Sequence, residues 1–152
     1  MTQAPRSSWM RALMSRPAAV VQLAANLLQH VTYTHKTLPV QGLSMLKMQD
    51  CVLGEAYYLG EFPVSCTWLE IQFPDGRKVD GAALVMSDSA ELGLALALCD
   101  GILAHAGPGC TDVALLVEDG LRICERERSI RDAMLAKTQV NFSTVSVEEG
   151  VE

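Results

Sequence analysis

Val64-Ser65-Cys66-Thr67-Trp68-Leu69-Glu70-Ile71-Gln72-Phe73, then Pro74-Asp75-Gly76-Arg77, then Lys78 to Met86, reads as two strands folded about a tight turn. Thr67, Leu69, Ile71 and Phe73 recur at every second position, so they share one face of a strand. In the turn, Pro presets φ, Asp bonds to nearby backbone, and Gly takes the left-handed position. The returning strand is small and apolar at Ala82, Ala83, Leu84 and Val85.

Working outward, the upstream chain continues the β pattern. Val31, Tyr33 and His35 alternate with Thr32, Thr34 and Lys36, and Leu38 to Gly42 turns the chain. Leu43 to Gln49 then forms a strand with Leu46 and Met48 on one face, Leu43 and Met45 on the other. Every connection is too short for a crossover, so an antiparallel meander of about four strands is expected.

Helices flank this sheet. Ser7 or Ser8 caps a helix over Trp9 to Ser15, and Pro17 opens a second running to about Gln29. In the second, Val20, Ala24, Leu27 and Val31 form one stripe. The two, joined at Arg16-Pro17, are expected to lie antiparallel and to cover one face of whatever follows them. Downstream, Ser87 or Asp88 caps a helix to about Ala106 with Glu91 in its first turn. That helix is apolar nearly all round, which marks it as buried. Gly107-Pro108-Gly109 ends it. The last helix, about Asp112 to Lys137, keeps an apolar seam through Val113, Leu116, Val117, Leu121, Cys124, Ile130 and Met134. Its other face mixes Glu, Asp and Arg, which reads as a solvated face with a docking surface as the alternative. The fold class is α+β: one domain over residues 1–145, then an acidic tail over 146–152.

Composition excludes several function classes. The chain has 152 residues and a net charge of −6, the opposite of the clustered positive charge that displaces counterions from nucleic acid. Runs such as Gly93 to Cys99 are far shorter than the roughly 20 apolar residues of a spanning helix. Ser15-Arg16-Pro17 interrupts the N-terminal apolar residues, so no secretory signal is read and a cytoplasmic location is expected. Cys51, Cys66, Cys99, Cys110 and Cys124 are odd in number and widely spaced, which suits buried or partly buried free thiols rather than a disulfide framework or zinc ribbon.

Catalytic patterns are sparse. There is no phosphate-binding Gly-rich loop and no Gly-x-Ser-x-Gly elbow. His30 and His35 are five apart and point to different sides of a strand or helix, and His105 stands alone in the buried helix, so no metal site is expected. A thiol pairing of Cys66 with His35 across the sheet stays open. The segment from Asp50 to Pro63 reads as a long irregular loop carrying Gly54, Glu55, Tyr57, Tyr58, Gly60 and Glu61. Such loops serve binding, partner contact, or burial of their own aromatics.

Five motifs follow one another along the chain: Trp9-Met10-Arg11-Ala12-Leu13, Gly42-Leu43-Ser44-Met45-Leu46-Lys47, Tyr57-Tyr58-Leu59-Gly60-Glu61, the helix Ala90-Glu91-Leu92 to Asp100-Gly101, and Thr138-Gln139-Val140-Asn141-Phe142-Ser143-Thr144-Val145. In this order they resemble the PhnG family, subunits of the bacterial carbon–phosphorus (C–P) lyase. The chain departs from the family where Cys66 replaces an Arg, where a basic segment shortens to Ser87-Asp88-Ser89, and at its acidic end, Glu148 to Glu152.

The resemblance implies an accessory subunit without catalytic residues, metal or cofactor of its own. Such a subunit works with other C–P lyase core subunits, as a homodimer within a hetero-oligomer. With them it assists displacement of adenine from MgATP by an alkylphosphonate, the ribose 1-methylphosphonate 5-triphosphate synthase reaction. The partner-contacting residues would be Gly54, Tyr57, Tyr58, Gly60 and Glu61. The alternative is a stand-alone small-molecule-binding domain or enzyme built on the Gly54–Glu61 loop, using Glu55, Glu61, Cys66 and a histidine.

Overall fold

A computed structural model describes residues 4–138. In order, the elements are α1 (Arg6–Met14), α2 (Pro17–Leu27), β1 (Thr32–His35), β2 (Val40–Gln49), β3 (Ala56–Gln72), β4 (Lys78–Val85), α3 (Ala90–Ala104) and α4 (Cys110–Lys137). Four antiparallel strands with helices before and after them make the expected α+β fold. The acidic tail and the family-like segment after Thr138 lie outside the described residues.

The sheet is organised around β3. Its C-terminal half pairs with β4 on one edge, Ser65 opposite Val85 through Gln72 opposite Lys78. On the other edge it pairs first with β1, His35 opposite Leu69, and then with β2, Val40 opposite Cys66. β1 and β2 therefore lie end to end along one edge instead of pairing with each other. The short interruption between them is bridged by the Lys36 amide, which donates to the Trp68 carbonyl at 3.0 Å. The alternating residues Thr67, Leu69, Ile71 and Phe73 are all buried, as their spacing requires, and Ala83 and Val85 join them from β4.

α3 covers that face. Its residues Leu96, Ala97, Leu98, Cys99 and Ile102 have no exposed surface, and α2, α1 and α4 surround it. The two N-terminal helices cover the other helices rather than the sheet: α1 packs chiefly on α4 and α2 on α3. Close approach sets the layer spacing. A methyl group on Gly81 of β4 would collide with the Ala97 carbonyl oxygen, and one on Gly101 would meet Ile71 Cδ1 at 2.5 Å. Further along, Gly93 leaves the room occupied by the hydroxyls of Ser65 and Thr67. Those two hydroxyls are buried and find no hydrogen-bond partner among the described residues.

Asp100 of α3 ties the layers together. It is buried, accepts from Arg6 Nε at 2.9 Å and Nη2 at 2.6 Å, and also accepts the Ala82 amide at 3.2 Å. The bidentate fork joins the start of α1 to the central helix and, through it, to β4. The Arg6 guanidinium is held more firmly protonated than usual, first by its hydrogen bond to Asp100.

Three caps differ from expectation. Ser89, not Ser87 or Asp88, caps α3 by accepting the Leu92 amide at 3.1 Å; Ser87 instead accepts the Ser89 amide. α1 begins at Arg6, and the Ser8 hydroxyl donates back to the Pro5 carbonyl rather than capping. His105 is not inside the buried helix but exposed at its C-cap.

Gly81→Ala should destabilise the fold by about 2 kcal/mol, because the added methyl meets backbone that cannot move aside. Thr67→Val should be neutral or stabilising, since it removes an unpaired buried hydroxyl at constant shape. Urea denaturation of the two variants tests the pair, and a large loss in Thr67→Val would mean that hydroxyl has a partner.

Candidate functional site

Beyond the reach of β4 and the helices, β2 and the first half of β3 continue as a two-stranded arm. The Asp50–Glu55 turn closes it. The Asp50 carboxylate accepts the amides of Leu53 (2.7 Å) and Val52 (3.3 Å), and the Asp50 amide donates to the Glu55 carbonyl at 2.8 Å. Gly54 supplies the left-handed position at φ 70°. This corrects the sequence expectation: Asp50 to Pro63 is not a long irregular loop, because Ala56 onward is strand. Gly60 has another role. Between the pairs Met45–Glu61 and Lys47–Tyr58, β2 supplies one residue (Leu46) and β3 two (Leu59, Gly60), which is a bulge.

The arm is apolar and bare on both faces. On the side that continues the helix-covered face, Leu43 is 69% exposed, Met45 55% and Tyr58 60%. On the other side Leu46, Met48 and Tyr57 are also exposed. That second side runs on into the uncovered face of the sheet, where Val40, Cys66 and Leu84 form one cross-strand row beside Trp68. A polar border closes it. Lys36 lies 5.2 Å over the Trp68 ring and bonds Asp80, and Lys78 bonds Glu70 at 2.8 Å. The Lys36 ammonium holds the Asp80 carboxyl below the usual carboxylate range.

The five expected contact residues are thus divided by role. Gly54 shapes the turn and Gly60 the bulge, while Tyr57, Tyr58 and Glu61 present side chains from the strand. Tyr57 pairs with Met48 and Tyr58 with Lys47, one on each face.

The residues of the enzyme alternative do not converge. Cys66 lies on the uncovered face, while His35 pairs with Leu69 on the opposite one. Glu61 stands five residues along β3 from Cys66, about 16 Å in an extended strand. A hollow beside the arm is lined only by Lys47, Met48, Gln49 and Ala56. His30 lines a separate open cleft of about 400 Å³ with Thr32, Gln72 and Phe73, in which it is the only titratable side chain. Among the described residues no three His, Cys, Asp or Glu side chains gather as a metal site, and no helix is long and apolar enough to cross a membrane.

The sequence reading missed the C-terminal half of α4. Full burial ends at Gly120, Leu121, Ile123 and Cys124 are half-buried with the Cys124 thiol donating to the Arg11 carbonyl at 3.7 Å, and Ile130, Met134 and Leu135 stand exposed. The expected apolar seam is present, but it outruns the body that would cover it. The signal was the helix's own length, 28 residues, or about 42 Å against a domain of ordinary diameter.

Of the five thiols expected to be buried or partly buried, Cys99 is buried and Cys110 and Cys124 are half-buried, but Cys51, in the arm's turn, and Cys66, on the uncovered sheet face, are exposed. Burial, and then the Asp100 charge, push the Cys99 thiol up to about 12, whereas Cys51 and Cys66 are exposed. A thiol-directed alkylating reagent at neutral pH should label Cys51 and Cys66 within minutes and leave Cys99 unlabelled until the fold is denatured. Peptide mass mapping checks this, and early Cys99 labelling would contradict the packing of α3.

No curated protein matches the chain. A family described as phosphonate metabolism protein PhnG matches residues 4–146, nearly the whole length. The chain belongs to the PhnG family of phosphonate metabolism proteins, subunits of the C–P lyase complex.

Proposed function

We propose that this chain is an assembly subunit that contributes docking surface, and that it assists unlike C–P lyase subunits in displacing adenine from MgATP by an alkylphosphonate. The observation that carries the reading is the bare arm. A two-stranded hairpin is marginal in water unless a third strand or a helix covers it. Here it also exposes Leu43, Met45, Tyr57, Tyr58 and Leu59. Contiguous exposed apolar surface of this kind marks a site of protein contact. Membership of a phosphonate metabolism family supplies the class of partner.

In this reading Tyr57, Tyr58 and Glu61 are contact residues, and Gly54 and Gly60 give the arm its shape. The chain forms a homodimer within the hetero-oligomer. It works in the cytoplasm and holds no cofactor of its own, nucleotide and phosphonate being bound by its partners. The open sheet row Val40–Cys66–Leu84 suits an unlike subunit, because its polar border provides the rim that interfaces place around an apolar centre.

Affinity purification of the tagged full chain from its own host, grown on a phosphonate, tests the proposal. The wild type should bring down the larger subunits. Tyr57→Asp combined with Leu84→Asp should reduce their recovery at least about tenfold, since a charge buried in an interface costs several kcal/mol. The far-UV circular dichroism should be unchanged, because both side chains are exposed. A wild-type chain recovered without any phosphonate-pathway subunit would overturn the reading, and binding of an alkylphosphonate by the isolated chain would favour the stand-alone alternative.

A further inference from the structure

The outer edges of the sheet are not alike. The Lys36 amide donates to the Trp68 carbonyl, so Trp68 turns its backbone groups toward the edge that holds β1 and β2. Backbone direction alternates along an antiparallel strand. Cys66, Val64 and Phe62 therefore bond to Val40, Gly42 and Ser44 of β2, and Gln41, Leu43 and Met45 turn amide and carbonyl away from β3. At the tip of the arm the Asp50 amide donates to the Glu55 carbonyl, which puts Lys47 and Gln49 in the same outward set. The extra residue of the bulge lies in β3, so the outward series of β2 is unbroken.

The other edges are guarded. On β4 the same alternation turns Ala82 outward, and Asp100 accepts its amide. β4 ends opposite Ser65, which leaves Ala56 to Val64 of β3 open on that side. There Pro63, in the outward set, has no amide hydrogen to give, and the Leu59–Gly60 bulge breaks the spacing. β1 is only four residues long. Prolines, bulges and short strands are how sheets refuse a further strand. β2 has none of these protections between Val40 and Gln49, and all of it but Ser44 is exposed. Its outward amides and carbonyls have no backbone partner among the described residues.

We propose that β2 takes an extended strand of an unlike subunit along this edge, paired through Gln41, Leu43, Met45, Lys47 and Gln49 and carrying a carboxylate opposite Lys47. The inference rests on the assembly reading above and specifies how the arm is held. Backbone groups at ladder spacing are matched by another strand, and a third strand is what a two-stranded ribbon needs to be stable. The incoming strand is apolar on both sides, because Leu43 and Met45 flank it on one face and Leu46 and Met48 on the other. Charge selects an unlike strand. Lys47 is the one charged residue of β2 and forms no salt bridge among the described residues. With no acidic residue in β2, the same strand of a second copy offers nothing to pair with it. Val40 begins β2 and also belongs to the row Val40–Cys66–Leu84, so the edge is continuous with the surface already assigned to an unlike subunit.

Amide hydrogen exchange of the full chain, alone and in the complex purified from its host, tests the pairing residue by residue. In the isolated chain the amides of Gln41, Leu43, Met45, Lys47 and Gln49 should exchange fast. In the complex the same set should slow by about a hundredfold or more. Leu43→Pro/Met45→Pro removes two outward amide hydrogens and spares the ladder to β3, so the arm keeps its pairing while recovery of unlike subunits falls about tenfold or more. Leu43→Ala/Met45→Ala trims the same side chains without touching the edge and should cost clearly less. Lys47→Glu should lower recovery by about threefold or more.

Outward amides that exchange equally fast in the complex, or equal recovery of the proline and alanine variants, would overturn the strand pairing and leave the assembly reading standing. Slow exchange of that set in the isolated chain would show the edge filled by this chain or a second copy, which overturns the unlike strand. The assembly reading fails by a different result, a wild-type chain recovered alone, which takes the strand pairing with it.

Discussion

The distance between α3 and the sheet is the constraint on which the rest depends. Gly81, Gly93 and Gly101 let helix backbone lie almost against strand backbone. At that distance α3 can be enclosed on every side, its outer face by α2, α1 and α4. Enclosure in turn places Asp100 in the interior, where a lone carboxylate would be expensive. Arg6 and the Ala82 amide satisfy it, and the same hydrogen bonds fix where α1 begins. The cost of this packing shows at Ser65 and Thr67, whose hydroxyls are pressed beneath Gly93 and find no partner among the described residues.

A body so fully built around one helix has two parts left over. The arm and the C-terminal end of α4 both extend past the limit of that packing, and both carry exposed apolar residues that water does not favour. The arm's geometry is nonetheless well defined locally. Asp50 and Gly54 close its end, and the bulge at Leu59–Gly60 sets its register. Local hydrogen bonding can therefore shape a hairpin whose stability depends on what covers it.

Much of this was legible in the sequence. Alternation from Thr67 to Phe73, the Asp75-Gly76 turn and the apolar all-round helix specify a sheet face with a buried helix on it. Capping was less legible, because Ser87, Asp88 and Ser89 are chemically interchangeable as caps and only the helix start selects Ser89. The arm was misread for a physical reason. Strand periodicity signals one buried face, and a ribbon bare on both sides has none, so its two glycines resembled loop residues instead of a turn and a bulge.

The sequence by itself determined what local physics controls: four strands, the helices, the β3–β4 hairpin, the α+β class and the ordered motifs of the family. Pairing was decided by tertiary structure alone. That β1 and β2 share one edge of β3, and that Cys66 and His35 lie on opposite faces, follow from register between distant segments. Where burial stops was decided the same way. An apolar seam reads identically whether or not something lies against it, so only the packed body shows that Ile130, Met134 and Leu135 of α4 and the arm beyond Gln41 stay exposed among the described residues.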